Sequence, residues 1–226
     1  MVTATLLDFD GVLVDSEPVH LAAFNDVLAA HGIAISEKEY VEQYLSLDDA
    51  GVFRSALWRG GATLRKKAHE EEVRACVAAK APRFMARFED GFRTFAGAPE
   101  FVARRAARGL VGIVSGALEH EIVFALEKMG VRDAVAFIVS AETSRASKPD
   151  PAPFLQGLDE LRRLGHRGGS VAVEDSTGGI ASAKSAGLRC VAVAHSYPRE
   201  ALLAAGADVV APDLASLTDS VLEGVV

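Results

Sequence analysis

The chain has 226 residues, of which 50% are hydrophobic and 24% charged, a balance typical of a globular protein with a substantial core. Its formal net charge of −7 argues against nucleic acid or an anionic membrane as the main partner, because both repel a negative protein. No apolar run approaches the ~18 residues of a membrane span, and the beginning of the chain, MVTATLLDFDG, lacks the basic region of a signal peptide. We therefore expect a cytoplasmic protein in which Cys76 and Cys190 are buried, reduced thiols.

The first predicted strand, ATLLDFD at residues 4–10, ends in two carboxylates that are two residues apart. These are Asp8 and Asp10, and Gly11 follows them. Neighbouring negative charges repel each other, and burial strengthens the repulsion. This strand end therefore needs a positive group or a cation that offsets the repulsion.

Residues 16–92 contain helix signals and no clear strand. The predicted helices cover Glu17 to His31, Ser36 to about Leu45, 48–57 and 63–89. Ser36 and Glu39 form a predicted capping box, and Pro82 is a predicted kink or break in the last helix. A helical block of this length after the first strand predicts a cap domain over 16–92, with a catalytic core made of 1–15 and 93–226.

Five more apolar runs follow this block and alternate with helical stretches. They are LVGIVSG, VAFIVSA, SVAVEDS, CVAVAHS and ADVVAP. Near-continuous apolar strands separated by helices are typical of a parallel sheet that is buried on both faces. The helices run to Gly109, Gly130, Gly165 and Gly187, where left-handed C-caps are expected. The predicted fold class is α/β, with a Rossmann-like parallel sheet and an inserted helical cap.

Ligands bind at the carboxyl ends of the strands in an open parallel sheet. The side chains predicted to meet there are Asp8, Asp10, Ser115, Lys148, Glu174 and Asp175. Mg²⁺ prefers oxygen ligands and would offset the repulsion among the four carboxylates. A hydroxyl and an ammonium suit the oxygens of a phosphoryl group in transfer. The sequence therefore predicts Mg²⁺-assisted phosphoryl chemistry at this edge of the sheet.

Four segments of the chain resemble, in order, the four motifs of the haloacid dehalogenase superfamily. They are Asp8-Phe9-Asp10-Gly11, Ser115, Lys148-Pro149 and Glu174-Asp175-Ser176. The inserted helical block resembles the cap of the β-phosphoglucomutase and phosphatase-like branch. The resemblance implies that Asp8 is the nucleophile, which forms an aspartyl phosphate, and that Asp10 is the general acid and base.

The resemblance also implies the ligands of the metal and of the phosphate. Mg²⁺ would bind the Asp8 side chain, the Asp10 backbone carbonyl and Asp175, with Glu174 as a direct or an outer ligand. The implied phosphate-binding residues are Ser115, Gly116 and Lys148. In the cap, His20 lies where mutase members have a histidine that positions the acid/base aspartate. Lys80 lies where such caps often have a lysine that faces the active site.

Several of these residues also have a structural interpretation. A helix N-cap is the alternative role for Ser115, and capping of the following helix is the alternative for Glu174-Asp175. His20 has the alternative of an ordinary helix-surface residue. Arg104, Arg105 and Arg108 are predicted to lie on a solvated helix face.

The segment YLSLDDAGVFR, at residues 44–54, bears on the reaction. Mutase-like members usually have a glycine and an arginine there for the distal phosphate of the substrate, whereas this chain has Asp48-Asp49 and its nearest arginine is Arg54. This difference favours a phosphatase acting on a small phosphorylated metabolite, such as a sugar phosphate, over a sugar phosphomutase. A receiver-like signalling module and a silent phosphometabolite-binding protein are alternatives from another class. The sequence predicts no oligomeric state.

Overall fold

The computed structural model of the protein describes residues 2–45, 47–59 and 66–225. The chain forms two compact units: Met1–Asp15 together with Arg93–Val226, here the sheet unit, and Ser16–Phe92, here the helical unit. Among the described residues, no helix has both the length and the apolar character that a membrane crossing requires.

The sheet unit is built on six parallel strands in the order β3-β2-β1-β4-β5-β6. The strands are β1 Val2–Leu7, β2 Leu110–Val114, β3 Phe137–Val139, β4 Gly169–Glu174, β5 Arg189–Val193 and β6 Val209–Ala211. The central residues of β1, β2, β4 and β5 are fully buried, as expected for strands covered on both faces, whereas Ile138 at the centre of the edge strand β3 is only partly buried. The predicted Rossmann-like parallel sheet is confirmed, and the ends of β2 and β4 flank the end of β1.

The helical unit contains four α-helices in the described part of the chain. They are α1 Glu17–Leu28, α2 Glu37–Glu39, α3 Asp49–Arg59 and α4 Lys66–Asp90. A 3₁₀ turn, Ala29–His31, extends α1 to Gly32, whose φ of 69° ends the helix as predicted. A short π-helix, Tyr40–Tyr44, extends α2, and the predicted capping box of Ser36 and Glu39 is confirmed.

The last helix of this unit, α4, runs through Pro82 without ending. The alternative of a break at Pro82 is therefore wrong, and the predicted start at Thr63 lies outside the described residues. Beyond the proline, Phe84 and Phe88 are both buried, and their rings stack at 5.2 Å. Burial of these two aromatic side chains outweighs the one backbone hydrogen bond that proline removes.

The described part of the sheet unit contains six further α-helices. They are α5 Ala98–Ala106, α6 Glu119–Lys128, α7 Ala152–Arg163, α8 Thr177–Ser185, α9 Arg199–Ala204 and α10 Asp219–Glu223. Of these, α5, α7, α8 and α9 pack on strands. The predicted left-handed glycines are confirmed at Gly130, Gly165 and Gly187. The prediction for Gly109 is wrong, because α5 ends earlier and Gly109 has no positive φ. A Cβ at Gly109 would instead collide with the carbonyl of Thr3, so a close approach of two backbones requires this glycine.

The predicted solvated face of α5 is wrong for Arg105, which is only 1% exposed. Its Nε donates to Thr5 Oγ1 at 3.0 Å and its Nη1 donates to Asp219 Oδ1 at 2.8 Å. Arg104 and Arg108 have side chains that are 39% and 46% exposed, and both also reach Asp219. Arg105 is buried because its side of α5 faces the sheet, while α10 supplies the carboxylate that pairs with it.

Candidate active site

The end of β1 forms a short, tightly bonded loop. The N–H of Asp8 donates to the carbonyl of Val173 at 3.0 Å, so the pairing with β4 extends to Asp8, whose side chain is buried. The N–H groups of Leu13 and Val14 both donate to the carbonyl of Phe9, which turns the chain back after the aspartates. The loop thereby fixes the backbone on both sides of Asp10, which is partly buried.

Gly11 is required at its position for two reasons. Its φ of 73° is a conformation that side chains disfavour, and a Cβ there would overlap the carboxylate of Asp175 and lie 2.8 Å from Ser196 Oγ. His195 Nδ1 donates to the Gly11 carbonyl at 2.8 Å. The backbone after the first two aspartates is therefore packed directly against a third carboxylate.

Ser115 lies at the end of β2, one strand away from Asp8. Its N–H donates to the carbonyl of Val139 at 2.9 Å, and its buried hydroxyl accepts a hydrogen bond from Ala117 N at 3.1 Å. The N-cap of α6 is Leu118, so the alternative role of Ser115 as a helix N-cap is wrong. Gly116 beside it is exposed, with open space where a Cβ would lie.

Lys148 connects the first and fourth strand ends. Its Nζ donates to Glu174 Oε1 at 2.6 Å and lies 3.0 Å from Asp8 Oδ1. Burial by itself would lower the pKa of this ammonium, but the charges of Asp8 and Glu174 outweigh burial and raise its pKa above the ordinary value. Lys148 is therefore a permanent cation between two carboxylates.

Glu174 is fully buried at the end of β4. Its Oε2 accepts hydrogen bonds from Asp175 N at 3.1 Å and from Ser176 Oγ at 3.1 Å. Ser176 in turn accepts from Gly179 N at 3.0 Å, so Ser176, and neither Glu174 nor Asp175, is the N-cap of α8. Burial first, and then the charge of Asp8, raise the pKa of Glu174, while Lys148 opposes that rise.

Three carboxylates converge at this edge of the sheet. Oxygen atoms of Asp8, Glu174 and Asp175 all lie within 4.8 Å of one another, and all three residues are buried. This all-oxygen, negatively charged donor set fits a hard divalent cation such as Mg²⁺. Among the described residues, the cluster of three carboxylates does not include Asp10. The predicted metal ligand from Asp10 is its backbone carbonyl, not its carboxylate.

A cavity of about 150 Å³ lies beside these groups. Its lining includes Ser115, Gly116 and Lys148, which are the three predicted phosphate-binding residues. Arg145 and Ser147 line it as well. Arg145 was not predicted as a site residue, although it lies three residues before Lys148 in the same segment, SRASKPDP at residues 144–151.

The end of β5 supplies two more residues that the sequence analysis missed. Ser196 Oγ donates a hydrogen bond to Asp175 Oδ2. His195, which holds the Gly11 carbonyl, stacks on Phe95 with the ring centroids 3.8 Å apart. Both residues end the predicted run CVAVAHS, so the sequence indicates their position at the edge of the sheet but not their roles.

His20 and Lys80 meet each other inside the helical unit. Lys80 Nζ lies 2.8 Å from His20 Nδ1, 2.5 Å from Asp49 Oδ1 and 4.2 Å above the centre of the Phe24 ring. Burial first, and then the charge of Lys80, hold the pKa of His20 well below its ordinary value. The imidazole is therefore neutral, and its Nδ1 accepts from the lysine. The predicted roles of both residues toward a substrate stay predictions.

Arg54 is held within the same unit. Its Nε and Nη2 donate to the two carboxylate oxygens of Glu70, at 2.8 and 2.9 Å. Asp48, which comes before it in the YLSLDDAGVFR segment, accepts a hydrogen bond from Gly51 N at 2.8 Å in the first turn of α3. Both residues thus have structural partners inside the helical unit.

Comparison with known proteins identifies the family. A model of the haloacid dehalogenase-like hydrolase family matches residues 5–193. The chain is 30% identical over 224 residues to phosphoglycolate phosphatase of Rhodospirillum rubrum, covering 97% of this chain and 90% of that protein. It is 31% identical over 233 residues to hexitol phosphatase B of Escherichia coli, covering 99% and 97%. Its fold is similar to the crystal structure of CbbY from Rhodobacter sphaeroides in complex with phosphate, with a TM-score of 0.76, 26% identity and 96% of each chain covered. The chain belongs to the haloacid dehalogenase-like hydrolase family and is a phosphoric monoester hydrolase.

Proposed function

We propose that the protein is a Mg²⁺-dependent phosphatase that hydrolyses a small phosphorylated metabolite, such as a sugar phosphate, through an aspartyl phosphate on Asp8. The observation that carries the proposal is the bridge of Lys148 between Asp8 and Glu174, beside a cavity lined by Ser115. Two relatives named as phosphatases of small phosphorylated compounds, and a phosphate complex of a similar fold, support it. The proposal includes a cytoplasmic location, with no nucleic acid or membrane partner.

Asp8 and Asp10 divide the chemistry between them. In the first step an oxygen of Asp8 bonds to phosphorus, the bond from phosphorus to the leaving oxygen breaks, and Asp10 donates a proton to that oxygen. In the second step Asp10 accepts a proton from a water molecule while the water oxygen attacks phosphorus. The bond to Asp8 then breaks, which releases inorganic phosphate and restores both carboxyl groups to their starting states.

The remaining groups hold the phosphoryl oxygens. The hydroxyl of Ser115, the N–H of Gly116 and the ammonium of Lys148 are a neutral donor, a backbone donor and a cation at one side of the cavity. Such fixed donors stabilise the charge that spreads over the equatorial oxygens in the transition state. Arg145, on the same cavity, supplies a second positive charge for the substrate.

Mg²⁺, when bound, would neutralise charge on the phosphoryl group and lower the repulsion between that group and the nucleophile. The residues that would hold it are Asp8, Asp175, the backbone carbonyl of Asp10, and Glu174 as a direct or an outer ligand. Ser196 donates to Asp175 and thereby orients one of these carboxylates. The Lys148 ammonium by itself balances only one of the three converging negative charges, which supports a further cation.

The partners of Arg54 favour a phosphatase over a sugar phosphomutase. A mutase must grip a second phosphate on its substrate, and Arg54 is the arginine nearest to the expected position. Arg54 Nε and Nη2 both donate to the carboxylate of Glu70, so this guanidinium is held in an ion pair within the helical unit.

The experiment is phosphorus NMR on the protein with Mg²⁺ and a pool of phosphorylated metabolites, repeated with a chelator. Growth of inorganic phosphate that requires Mg²⁺ would support the phosphatase. A resonance that moves between two positions of one sugar, without inorganic phosphate, would support the mutase instead. No change with any compound, in protein shown to be folded, would favour a silent binding or receiver-like protein.

A further inference from the structure

A second group of side chains of the types that can bind a metal lies in the helical unit, apart from the carboxylates of the sheet unit. It consists of His31, Glu72 and Cys76, with one possible ligand atom from each residue, and these atoms all lie within 4.8 Å of one another. Cys76 Sγ lies 3.7 Å from His31 Nε2, and Glu72 Oε1 lies 3.4 Å from the same nitrogen.

Secondary structure brings the three side chains together. Glu72 and Cys76 are four residues apart on α4, so they lie on one face of that helix. His31 is the last residue of the 3₁₀ turn that extends α1, and Gly32 ends that turn in the left-handed conformation. Because α1 packs along α4, the end of one helix delivers a histidine to a Glu/Cys pair on the other.

The two separations from His31 Nε2 match a tetrahedral zinc ion, although the 3.7 Å contact to sulfur is also compatible with a thiol–imidazole hydrogen bond. With bonds of about 2.3 Å to sulfur and about 2.0–2.1 Å to nitrogen and oxygen, a tetrahedral ion holds S and N about 3.5 Å apart and N and O about 3.4 Å apart. The observed separations are 3.7 and 3.4 Å. A hydrogen bond from imidazole to carboxylate would be closer, at about 2.7–3.2 Å.

The group also has the access and the chemistry that an ion needs. Cys76 is buried, whereas the side chains of His31 and Glu72 are 28% and 40% exposed, so an ion can enter from solvent. Thiolate, imidazole and carboxylate together are a donor set that suits zinc, unlike the all-oxygen group of the sheet unit. Three protein ligands leave a fourth position for water.

We propose that His31, Glu72 and Cys76 form a zinc site that ties α1 to α4. On binding, the S–H bond of Cys76 breaks, its proton leaves to solvent, and the sulfur bonds to the ion, while His31 Nε2 and a Glu72 oxygen each donate a lone pair. No oxidant or reductant is involved. The site joins two helices of one unit and is independent of the proposed phosphatase reaction.

Cobalt(II) is the probe, because a cobalt–thiolate bond gives a charge-transfer band in the near ultraviolet that oxygen ligands do not give. We expect the purified full-length protein to show this band with about one equivalent of Co²⁺ bound per chain through sulfur, and Zn²⁺ to abolish it. The Cys76→Ala variant should lose the band, and the matched Cys190→Ala variant, which removes the other buried thiol, should keep it. Asp175→Asn, which alters the carboxylate group of the sheet unit, should also keep it.

Zinc affinity, measured by competition with a chromogenic chelator, gives the second readout. His31→Gln and Glu72→Gln alter partly exposed side chains, so both variants should fold. Loss of a residue that only hydrogen-bonds to a metal ligand weakens metal affinity by ~10–100-fold. Each of these variants should weaken zinc affinity by more than that, because each removes a direct ligand. Circular dichroism confirms folding of every variant. Absence of the cobalt band in the wild-type protein, its survival in Cys76→Ala, or unchanged zinc affinity in both glutamine variants would overturn the proposal.

Discussion

Lys148 donates a hydrogen bond of 2.6 Å to the buried carboxylate of Glu174. Lys148 lies in the loop after β3 and Glu174 is the last residue of β4, and the bond holds the ammonium beside Asp8, 3.0 Å from its Oδ1. The lysine is thus fixed by one carboxylate and presented to another. The fold of the sheet unit determines the position of Lys148, and the negative charges of Asp8 and Glu174 stabilise its positive charge.

Replacing Lys148 with methionine should reduce catalysis, and because it leaves the buried carboxylate of Glu174 without its cation, circular dichroism must first show that the variant is folded. We expect kcat/KM to fall about 10²–10³-fold, because a fixed cation beside the phosphoryl group is lost. Steady-state kinetics with Mg²⁺ measure the effect. Lys128→Met removes an exposed lysine at the end of α6 and is the matched control, with activity like that of the wild type. Equal activity of the two variants would refute the role given to Lys148.

Gly11→Ala should inactivate the enzyme, because the new Cβ would displace the carboxylate of Asp175. Gly165→Ala is the matched control: its φ of 82° is equally unsuited to a side chain, but no atom lies within 4 Å of the Cβ position. Both variants should lose about 1–2 kcal/mol of stability from the backbone conformation. Only Gly11→Ala should lose turnover, and kinetics at a temperature where both are folded test this. Loss of turnover in both variants, or in neither, would contradict the account.

The chemistry of the strand ends could be read from the sequence because parallel strands deliver their last residues to a common edge. That rule predicts from the sequence alone that Asp8, Ser115 and Glu174 lie close together. The same rule applied to the fifth strand would have identified His195 and Ser196. The chemical signal was weaker there, since one serine and one histidine outside a recognised motif have many structural uses.

Other features could not be read because they depend on distant partners. Arg105 has two arginines near it in sequence, and the pattern does not distinguish the one that faces Thr5 and Asp219. In the sequence, Gly109 resembles the other helix-ending glycines. A glycine is required there, however, because the backbone of Thr3, more than a hundred residues earlier, approaches too closely for a Cβ. Local spacing predicts a helix or a strand, whereas these roles follow from packing.

His20 should make stability depend on pH. Its pKa lies well below the ordinary 6.5, by burial and by the charge of Lys80, so the folded protein keeps it neutral while the unfolded chain protonates it near pH 6.5. The lowered pKa therefore contributes stability that is complete above about pH 6.5 and is lost as the pH falls further, by up to about 1.4 kcal/mol per pH unit. Urea unfolding at pH 7.5 and 5.5 measures the loss.

The His20→Gln variant is the control for this pH effect. It should lose less stability on acidification than the wild type does, by about 1 kcal/mol at pH 5.5, because glutamine does not titrate. NMR titration of the His20 ring checks the cause directly. Identical pH dependence in the two proteins, or a His20 pKa at or above 6.5, would rule out the effect.

Asp219→Ala should destabilise the protein by about 3 kcal/mol, because it removes the carboxylate that pairs with the buried guanidinium of Arg105. Asp159→Ala breaks an exposed pair with Arg162 three residues away and should change stability by less than about 1 kcal/mol. Chemical denaturation of both variants provides the comparison. If the two variants lose similar amounts of unfolding free energy, the buried ion pair of Arg105 and Asp219 stabilises the protein no more than the exposed pair does.

The most direct test of the central claim is detection of phosphate on Asp8. In Asp10→Asn, release of the phosphate should slow by about 10²–10⁴-fold, since the base that activates water is gone. The variant is mixed with Mg²⁺ and p-nitrophenyl phosphate, whose p-nitrophenolate anion leaves without a proton from Asp10. The mixture is quenched in acid, digested and analysed by mass spectrometry. The account predicts a phosphate on the peptide that contains Asp8, and neither phosphate nor turnover in Asp8→Asn. Turnover by Asp8→Asn, or a phosphate on any other residue, would contradict it.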